Sequence, residues 1–263
     1  MCLVSFAVGV LPQLPLVVAA NRDELHERPA RPAHVWSDAL EVFAGRDLSQ
    51  GGTWLGVAPG PRLAFVTNLR SPKARREGLS RGHIVRDYLL TRAPLAELAL
   101  DLARRAPSYP SFNAVLTEGD EAYYVTDEGR VRKLEPGIYG LSNDRLDVAW
   151  PKVERAREAM RRTVEAHAET RGSSPDPSLL FEMLTSREVP LDAQLPSTGV
   201  PPEVERRLAS PFVKDPTYGT RCSTVVFVRS DGTARFEERS YDPHGEHVGT
   251  IDRELDLSRA SAA

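Results

Sequence analysis

The sequence predicts an α+β domain in which antiparallel sheets carry helices on their outer faces, and three observations lead there. Short apolar, β-branched runs and segments of helical period alternate in blocks, in the order strands, helices, strands, helices, strands. Tight turn sequences, Glu118-Gly119-Asp120, Asp127-Glu128-Gly129 and Ser230-Asp231-Gly232, join neighbouring strands as hairpins and so specify antiparallel pairing. The 263 residues show no repeat period and are enough to bury a substantial core, so one domain over residues 1–263 is expected.

Residues 2–20 contain no charged side chain. No Lys or Arg precedes the run, Pro12-Gln13 and Pro15 interrupt it, and its halves, 3–10 and 16–20, each have strand length. Two strands joined by a Pro-containing turn therefore explain it better than a signal peptide or a membrane anchor, although Ala19-Ala20 resembles a cleavage site. Further strands are expected at 42–44, 53–58 and 63–68. Residues 71–81 are charged and contain Pro72 and Gly78, which predicts a solvent-facing loop; its Lys73, Arg75, Arg76 and Arg81 are where an anionic handle on a ligand would be met.

Helices follow at 83–90 and 95–105, the second with Leu95, Leu98, Leu100 and Leu102 at helical intervals and Arg104 and Arg105 at its C-terminal end. Strands return at 113–116, 122–126, 131–134 and 138–141. Pro151 suits the first turn of a long helix over 152–170, which Gly172 and Ser173-Ser174-Pro175 stop, and a shorter helix is expected at 179–184. Residues 189–211 are punctuated by proline, with a brief helical stretch at 204–208, and read as a lid or covering loop. Within them Leu195-Pro196-Ser197-Thr198-Gly199 matches a surface-anchoring signal, but no apolar span or basic tail follows it. Strands at 223–228 and 234–238 make a closing hairpin, and the tail from Ser258 is expected to fray.

With 34 basic and 37 acidic residues, the net charge of -3 gives no electrostatic case for nucleic acid or an anionic membrane as a partner; a small neutral or anionic ligand fits. Cys2 and Cys222 are too few for a disulfide framework and point to a reducing, cytoplasmic setting. His244 and His247 have the spacing of a metal pair, yet Pro243 and Gly245 put them in a loop with no acidic or thiol partner beside them. Neither a metal nor a cofactor is called for.

Cys2 directly follows the initiator methionine and becomes residue one if Met1 is trimmed. A free α-amino group titrates near ~8 and a thiol near ~8.5, so such a residue holds a nucleophile and its own proton acceptor. Asn21-Arg22-Asp23-Glu24 ends the second expected strand. If the first two strands pair as a hairpin, this polar run lies near the start of the first strand, where Arg22 would favour the thiolate and Asp23 could hold the amine or the arginine. Thr67-Asn68-Leu69-Arg70, Leu141-Ser142-Asn143-Asp144 and the run from Gly219 to Thr224 put more polar groups at strand ends. Asn143 and Asn68 are candidate donors to a developing oxyanion, a contact whose loss costs roughly 3 to 4 kcal/mol of barrier. Gly51-Gly52 lets the backbone turn before a strand, and Trp54 reads as a core aromatic.

Met1-Cys2, Asn21 to Glu24, Gly45-Arg46-Asp47 with Gly51-Gly52-Thr53-Trp54-Leu55-Gly56, Thr67-Asn68-Leu69-Arg70, Ser80-Arg81-Gly82, Gly140-Leu141-Ser142-Asn143, Trp150-Pro151-Lys152 and Tyr218-Gly219-Thr220-Arg221 together resemble the NRDE proteins, also called the transport and Golgi organisation family. That family is similar in arrangement to cysteine-type N-terminal nucleophile hydrolases, such as those acting on penicillins and conjugated bile acids. The resemblance implies a four-layer αββα sandwich, two antiparallel sheets face to face between helical layers. It implies Cys2 as nucleophile, Arg22 and Asp23 beside it, Asn143 at the oxyanion, and Arg221 as a late arginine of the site, with Asn21, Glu24 and Arg70 completing the expected substrate-binding set. In those hydrolases the Arg and Asp are separated by two residues; here they are adjacent and on a regular strand would face opposite sides. Either the chain leaves the strand at Arg22, or Asn21 and Glu24 take over one of the roles. The expected activity is cleavage or transfer at an amide or related acyl bond of a small molecule. The alternative is a non-catalytic binding or trafficking protein on the same scaffold, for which the resemblance suggests haem or acyl-coenzyme A lipids.

Overall fold

The computed structural model describes residues 3–169 and 175–258. Along the chain, strands β1 (Leu3–Leu11), β2 (Leu14–Leu25), β3 (Ala30–Trp36), β4 (Ala39–Asp47), β5 (Leu55–Ala58) and β6 (Arg62–Asn68) precede helices α1 (Gly82–Leu90) and α2 (Leu95–Arg105). Strands β7 (Phe112–Glu118), β8 (Glu121–Thr126), β9 (Val131–Lys133) and β10 (Gly137–Leu141) come next. Helices α3 (Pro151–Glu169), α4 (Ser178–Thr185) and α5 (Pro202–Arg207) then lead to β11 (Tyr218–Val228), β12 (Thr233–Tyr241) and β13 (His247–Asp256).

Every strand pairing is antiparallel. One sheet has six strands in the order β10-β1-β2-β11-β12-β13, the other seven in the order β3-β4-β5-β6-β7-β8-β9. Three apolar clusters define the layers. Val4, Phe6, Leu16, Val18 and Val226 of the first sheet meet Leu63, Phe65 and Val115 of the second, a face-to-face core. The outer face of the seven-stranded sheet, with Ala64 and Val66, buries Val85 and Leu89 of α1 and Leu102 of α2. The outer face of the six-stranded sheet, with Val17, Ala19 and Val225, buries Val153 and Met160 of α3 and Leu180 and Phe181 of α4. The result is the αββα sandwich. Central strands are apolar on both faces for this reason: each face meets a different layer.

The uncharged opening stretch makes β1 and the first part of β2, with the Ala19-Ala20 pair in mid-strand. No helix among the described residues is long and apolar enough to cross a membrane. Two strands depart from the sequence reading. β3 contains Pro32 and is an edge strand, and β13 is an edge strand with most of its side chains in solvent, so neither carries the apolar alternation that announces a strand. Beyond β13, Gly60 N donates to Leu257 O at 2.8 Å and ties the chain end to the turn between β5 and β6. The C-terminal limit expected for the long helix, Thr170, and the tail 259–263 lie outside the described residues.

Glu238 of β12 points into the core between the sheets, where its Oε1 accepts a hydrogen bond from Ala33 N of β3 at 2.8 Å and its Oε2 one from Thr224 Oγ1 at 3.3 Å. Burial pushes this carboxyl above the usual carboxylate range. The folded state therefore holds the proton more tightly than the unfolded chain, and stability falls as pH climbs from the unfolded value, about 4.3, through the raised one. Glu238→Gln cannot ionise. Its thermal midpoint relative to wild type is expected to improve as pH rises above the unfolded value and to level off above the raised one, which denaturation scans from acid to neutral pH would read.

Candidate active site

β2 keeps its alternation through the polar run. With Leu16, Val18 and Ala20 facing the other sheet, Arg22 and Glu24 follow on that face, while Asn21 and Asp23 fall on the helix side with Val17 and Ala19. The chain does not leave the strand at Arg22. Met1 and Cys2 lie outside the described residues; Leu3, the first described, pairs with Asn21. On the other flank β11 pairs Cys222 with Arg22 and Thr220 with Asp23, so Arg221 is an extra residue, a β-bulge.

Asn21 is fully buried, its Nδ2 donating to Leu184 O at 2.7 Å and Pro211 O at 2.9 Å while its Oδ1 accepts from Ser223 Oγ at 2.6 Å. It fastens β2 to the end of α4 and to the covering segment, and does not face the cleft described below. Asp23 Oδ1 accepts from Thr220 Oγ1 at 2.7 Å, and that hydroxyl accepts in turn from Val213 N at 2.9 Å.

Arg22 is 5 % exposed, with its guanidinium carbon 4.2 Å from the centre of the Trp54 ring. Its nearest carboxylate oxygen, Glu24 Oε2, is 3.9 Å away, and no hydrogen-bond acceptor serves the guanidinium among the described residues. A buried cation left in this state is costly to the fold. It opens on a cleft of about 350 Å³ whose walls include Glu24, Arg28, Asp47, Asn68, Arg76 and Arg81. Arg28 is neutralised there by Asp47 at 2.7 Å, and Arg81 Nη1 donates to Ser111 O at 3.0 Å.

On the far side of the Arg22–Trp54 stack lies a second cavity of about 180 Å³, with Arg221, Cys222 and Glu238 in its walls. Arg221 Nη1 donates to Leu25 O at 2.8 Å and to Arg28 O at 3.2 Å. Burial, and then the charge of Arg22, hold its guanidinium below the usual arginine range. The Cys222 thiol is pushed well up by burial and by Glu238, which makes it a poor nucleophile.

Asn68 lines the cleft. Asn143 does not; its Nδ2 donates to Asn68 O at 3.1 Å, and its Oδ1 accepts from Arg70 Nη2 at 3.3 Å. Arg70, expected to meet substrate, is committed elsewhere: Nη1 pairs with Glu205 Oε2 at 2.8 Å, with side-chain exposures of 8 % and 4 %, and the guanidinium lies 5.2 Å over the Trp150 ring. Glu205 Oε1 accepts from Thr198 N at 2.8 Å and Thr198 Oγ1 at 2.5 Å. The apparent anchoring signal at 195–199 is thus part of a clasp that holds the covering segment to Arg70.

Sequence reasoning proposed no role for Arg28 and Asp47, and it read Trp54 only as core packing. The signal lay in two glycine motifs that look like ordinary turns. A Cβ on Gly52 would fall 2.5 Å from the carbonyl carbon of Gly82, and Thr53 N donates to Gly82 O at 3.1 Å, so the Gly51-Gly52-Thr53 and Ser80-Arg81-Gly82 segments touch backbone to backbone and bring loop 71–81 to the cleft. Gly52→Ala is expected to destabilise the fold by about 1–3 kcal/mol in urea unfolding, because two backbones must separate. Among the described residues no three or more His, Cys, Asp and Glu side chains gather to hold a metal ion, and His247 Nε2 instead bonds Thr250 Oγ1 at 2.8 Å.

The sequence model of the family described as Transport and Golgi organisation 2 matches residues 1–243. The chain is 31% identical over 261 residues to the Transport and Golgi organization protein 2 homolog of Bos taurus, covering 91% of this chain and 93% of that protein. It is 27% identical over 272 residues to Transport and Golgi organization protein 2 of Drosophila melanogaster, covering 94% and 95%. Among solved structures, the Caenorhabditis elegans N-acylethanolamine-hydrolyzing acid amidase ortholog is similar with a TM-score of 0.49 at 13% identity, covering 85% of this chain and 92% of that one.

Proposed function

The chain belongs to the Transport and Golgi organisation 2 family, and we propose that it is a cytoplasmic N-terminal cysteine nucleophile hydrolase-like enzyme that cleaves or transfers at an amide or related acyl bond of a small molecule. The observation that carries this reading is Arg22, a buried guanidinium with no hydrogen-bond acceptor among the described residues, facing a cleft at the end of the strand that pairs with β1. Unfilled donors on a buried cation favour a neighbouring anion, whether a thiolate or a charged oxygen forming on substrate.

In this mechanism the amine of Cys2, exposed by removal of Met1, takes the thiol proton, and Asp23 orients that amine. The thiolate attacks the acyl carbon, a C–S bond forms, and the carbonyl electrons move to an oxygen steadied by Asn68 and, from beside the cleft, by the second amide proton of Asn143, whose first is held by Asn68 O. Collapse breaks the C–N bond, and the departing amine leaves with the proton held by the α-ammonium. Water then cleaves the thioester, releasing the acid and restoring the thiol. Arg22 tunes the thiolate, Glu24 lines the cleft, and Arg221 offers a guanidinium to a substrate carboxylate.

A second reading is favoured by one observation: Leu79, 52% exposed, lines the cleft, where an apolar ligand would rest against it. On that reading the protein carries a hydrophobic anion such as haem or an acyl-coenzyme A lipid, and Cys2 is a ligand or a bystander. Intact mass separates the two. The enzyme loses Met1, takes one acyl group from an activated amide or thioester, and loses that adduct in Cys2→Ala; active protein that retains Met1 would refute the self-base mechanism. A carrier saturates with haem or acyl-coenzyme A near one equivalent and keeps its acyl-lipid affinity in Cys2→Ser.

A further inference from the structure

The smaller cavity has a charge balance that its own side chains do not resolve. Arg22, Arg31 and Arg221 stand around a space of about 180 Å³, and Glu238 is the carboxyl among its lining residues. That carboxyl is already occupied by Ala33 N and Thr224 Oγ1. Arg22 has no hydrogen-bond acceptor among the described residues, Arg31 makes no ion pair there, and Arg221 is held through Nη1 by two backbone carbonyls. Like charges gathered around one space are stabilised when an anion enters it, and a planar guanidinium pairs best with a planar carboxylate.

Size narrows the class. At roughly 30 Å³ per water molecule the cavity holds about six waters, below the volume of a pocket for a drug-sized ligand. It shares Arg22 and Trp54 with the 350 Å³ cleft, so the two spaces flank that stack. An acyl compound lying across it would have one half on each side.

We infer that the smaller cavity is the subsite for one half of the substrate, a carboxylate-bearing group of small amino-acid size, with the scissile bond at the Arg22–Trp54 junction and the other half in the larger cleft. The position of the scissile bond rests on the proposed enzyme reading; the anion subsite does not.

Matched pairs test it on the full-length chain: N-acylglycines against the corresponding N-acylglycinamides, equal in shape but for the charge. A preference of about tenfold or more in kcat/KM for the carboxylate is expected, reduced towards unity in Arg221→Gln and in Arg31→Gln, whose exposed side chain makes it the safer variant to fold, and the N-acyltryptophan is expected to be turned over at least about tenfold more slowly than the N-acylglycine. Calorimetry on Cys2→Ala with N-acetylglycine and N-acetylglycinamide reads the subsite without catalysis, and only the carboxylate is expected to bind. Equal turnover of charged and neutral partners, or inorganic phosphate binding in preference to N-acetylglycine, overturns the inference and leaves the enzyme reading intact. Carboxylate binding that depends on Arg31 and Arg221, in a wild type that neither turns over an amide nor takes an acyl group on Cys2, supports the subsite and overturns the enzyme reading.

Discussion

Arg22→Met is expected to unfold at higher denaturant than wild type while losing about 100- to 1000-fold in the rate of Cys2 acylation. Both effects come from one guanidinium. In the folded chain it is 5 % exposed, stacked on Trp54, and 3.9 Å from Glu24 Oε2. Replacing such a charge by an apolar side chain of similar length removes a desolvation penalty and keeps the contact with the indole, a gain of about 1–3 kcal/mol. The same change removes the positive charge that favours the thiolate and the forming oxyanion, worth roughly 3–4 kcal/mol of barrier. Stability gained where activity is lost is the signature of a residue kept for chemistry. Urea titration and stopped acylation measured by mass, on the same preparation, check it; a variant that is less stable and equally reactive would make Arg22 a packing residue.

Glu205→Ala carries the largest stability cost we expect, about 3–5 kcal/mol, because it strands the buried Arg70 charge. The loss has a second part. Thr198 N and Oγ1 both bond this carboxylate, so the covering segment 189–211 loses its attachment, and proteolytic cutting within it should accelerate. The double change Arg70→Met with Glu205→Leu, which removes both charges together, is expected to recover most of the stability. It should not recover activity, since Asn143 Oδ1 accepts from Arg70 Nη2 and would lose the contact that fixes which way its amide points. Recovery of both would make the clasp purely structural.

Much of this molecule is legible in the chain, and the illegible parts share a cause. The central strands announce themselves because both their faces meet apolar layers, as Val17 and Val18 do. β3 and β13 stay hidden because an edge strand satisfies only half of its backbone and half of its surface, and Pro32 or a charged run is tolerated there. In the polar run after Ala20, adjacency of Arg22 and Asp23 leaves a sequence with two options, and only the continuing pairing with β11 chooses between them. Arg70 and Asn21 look like site residues because they sit in polar motifs at strand ends. Their partners, Glu205, Leu184 and Pro211, are more than a hundred residues away, and no local pattern encodes such contacts. The approach of loop 71–81 to the cleft is of the same kind, carried by a glycine-to-glycine contact between two turns.

The extra residue in β11 also determines where this chain can change length. In the hairpin turns around Gly119 and Gly232 an inserted or lost residue alters only a loop. Losing Arg221 would instead heal the ladder, since Thr220 and Cys222 already pair with the adjacent residues Asp23 and Arg22, and would leave the Thr220–Asp23 bond in place while removing a guanidinium from the site. Inside this sheet, that one position can lose a residue without a slip of register, and what disappears with it is the tie from Arg221 to Leu25 O and Arg28 O.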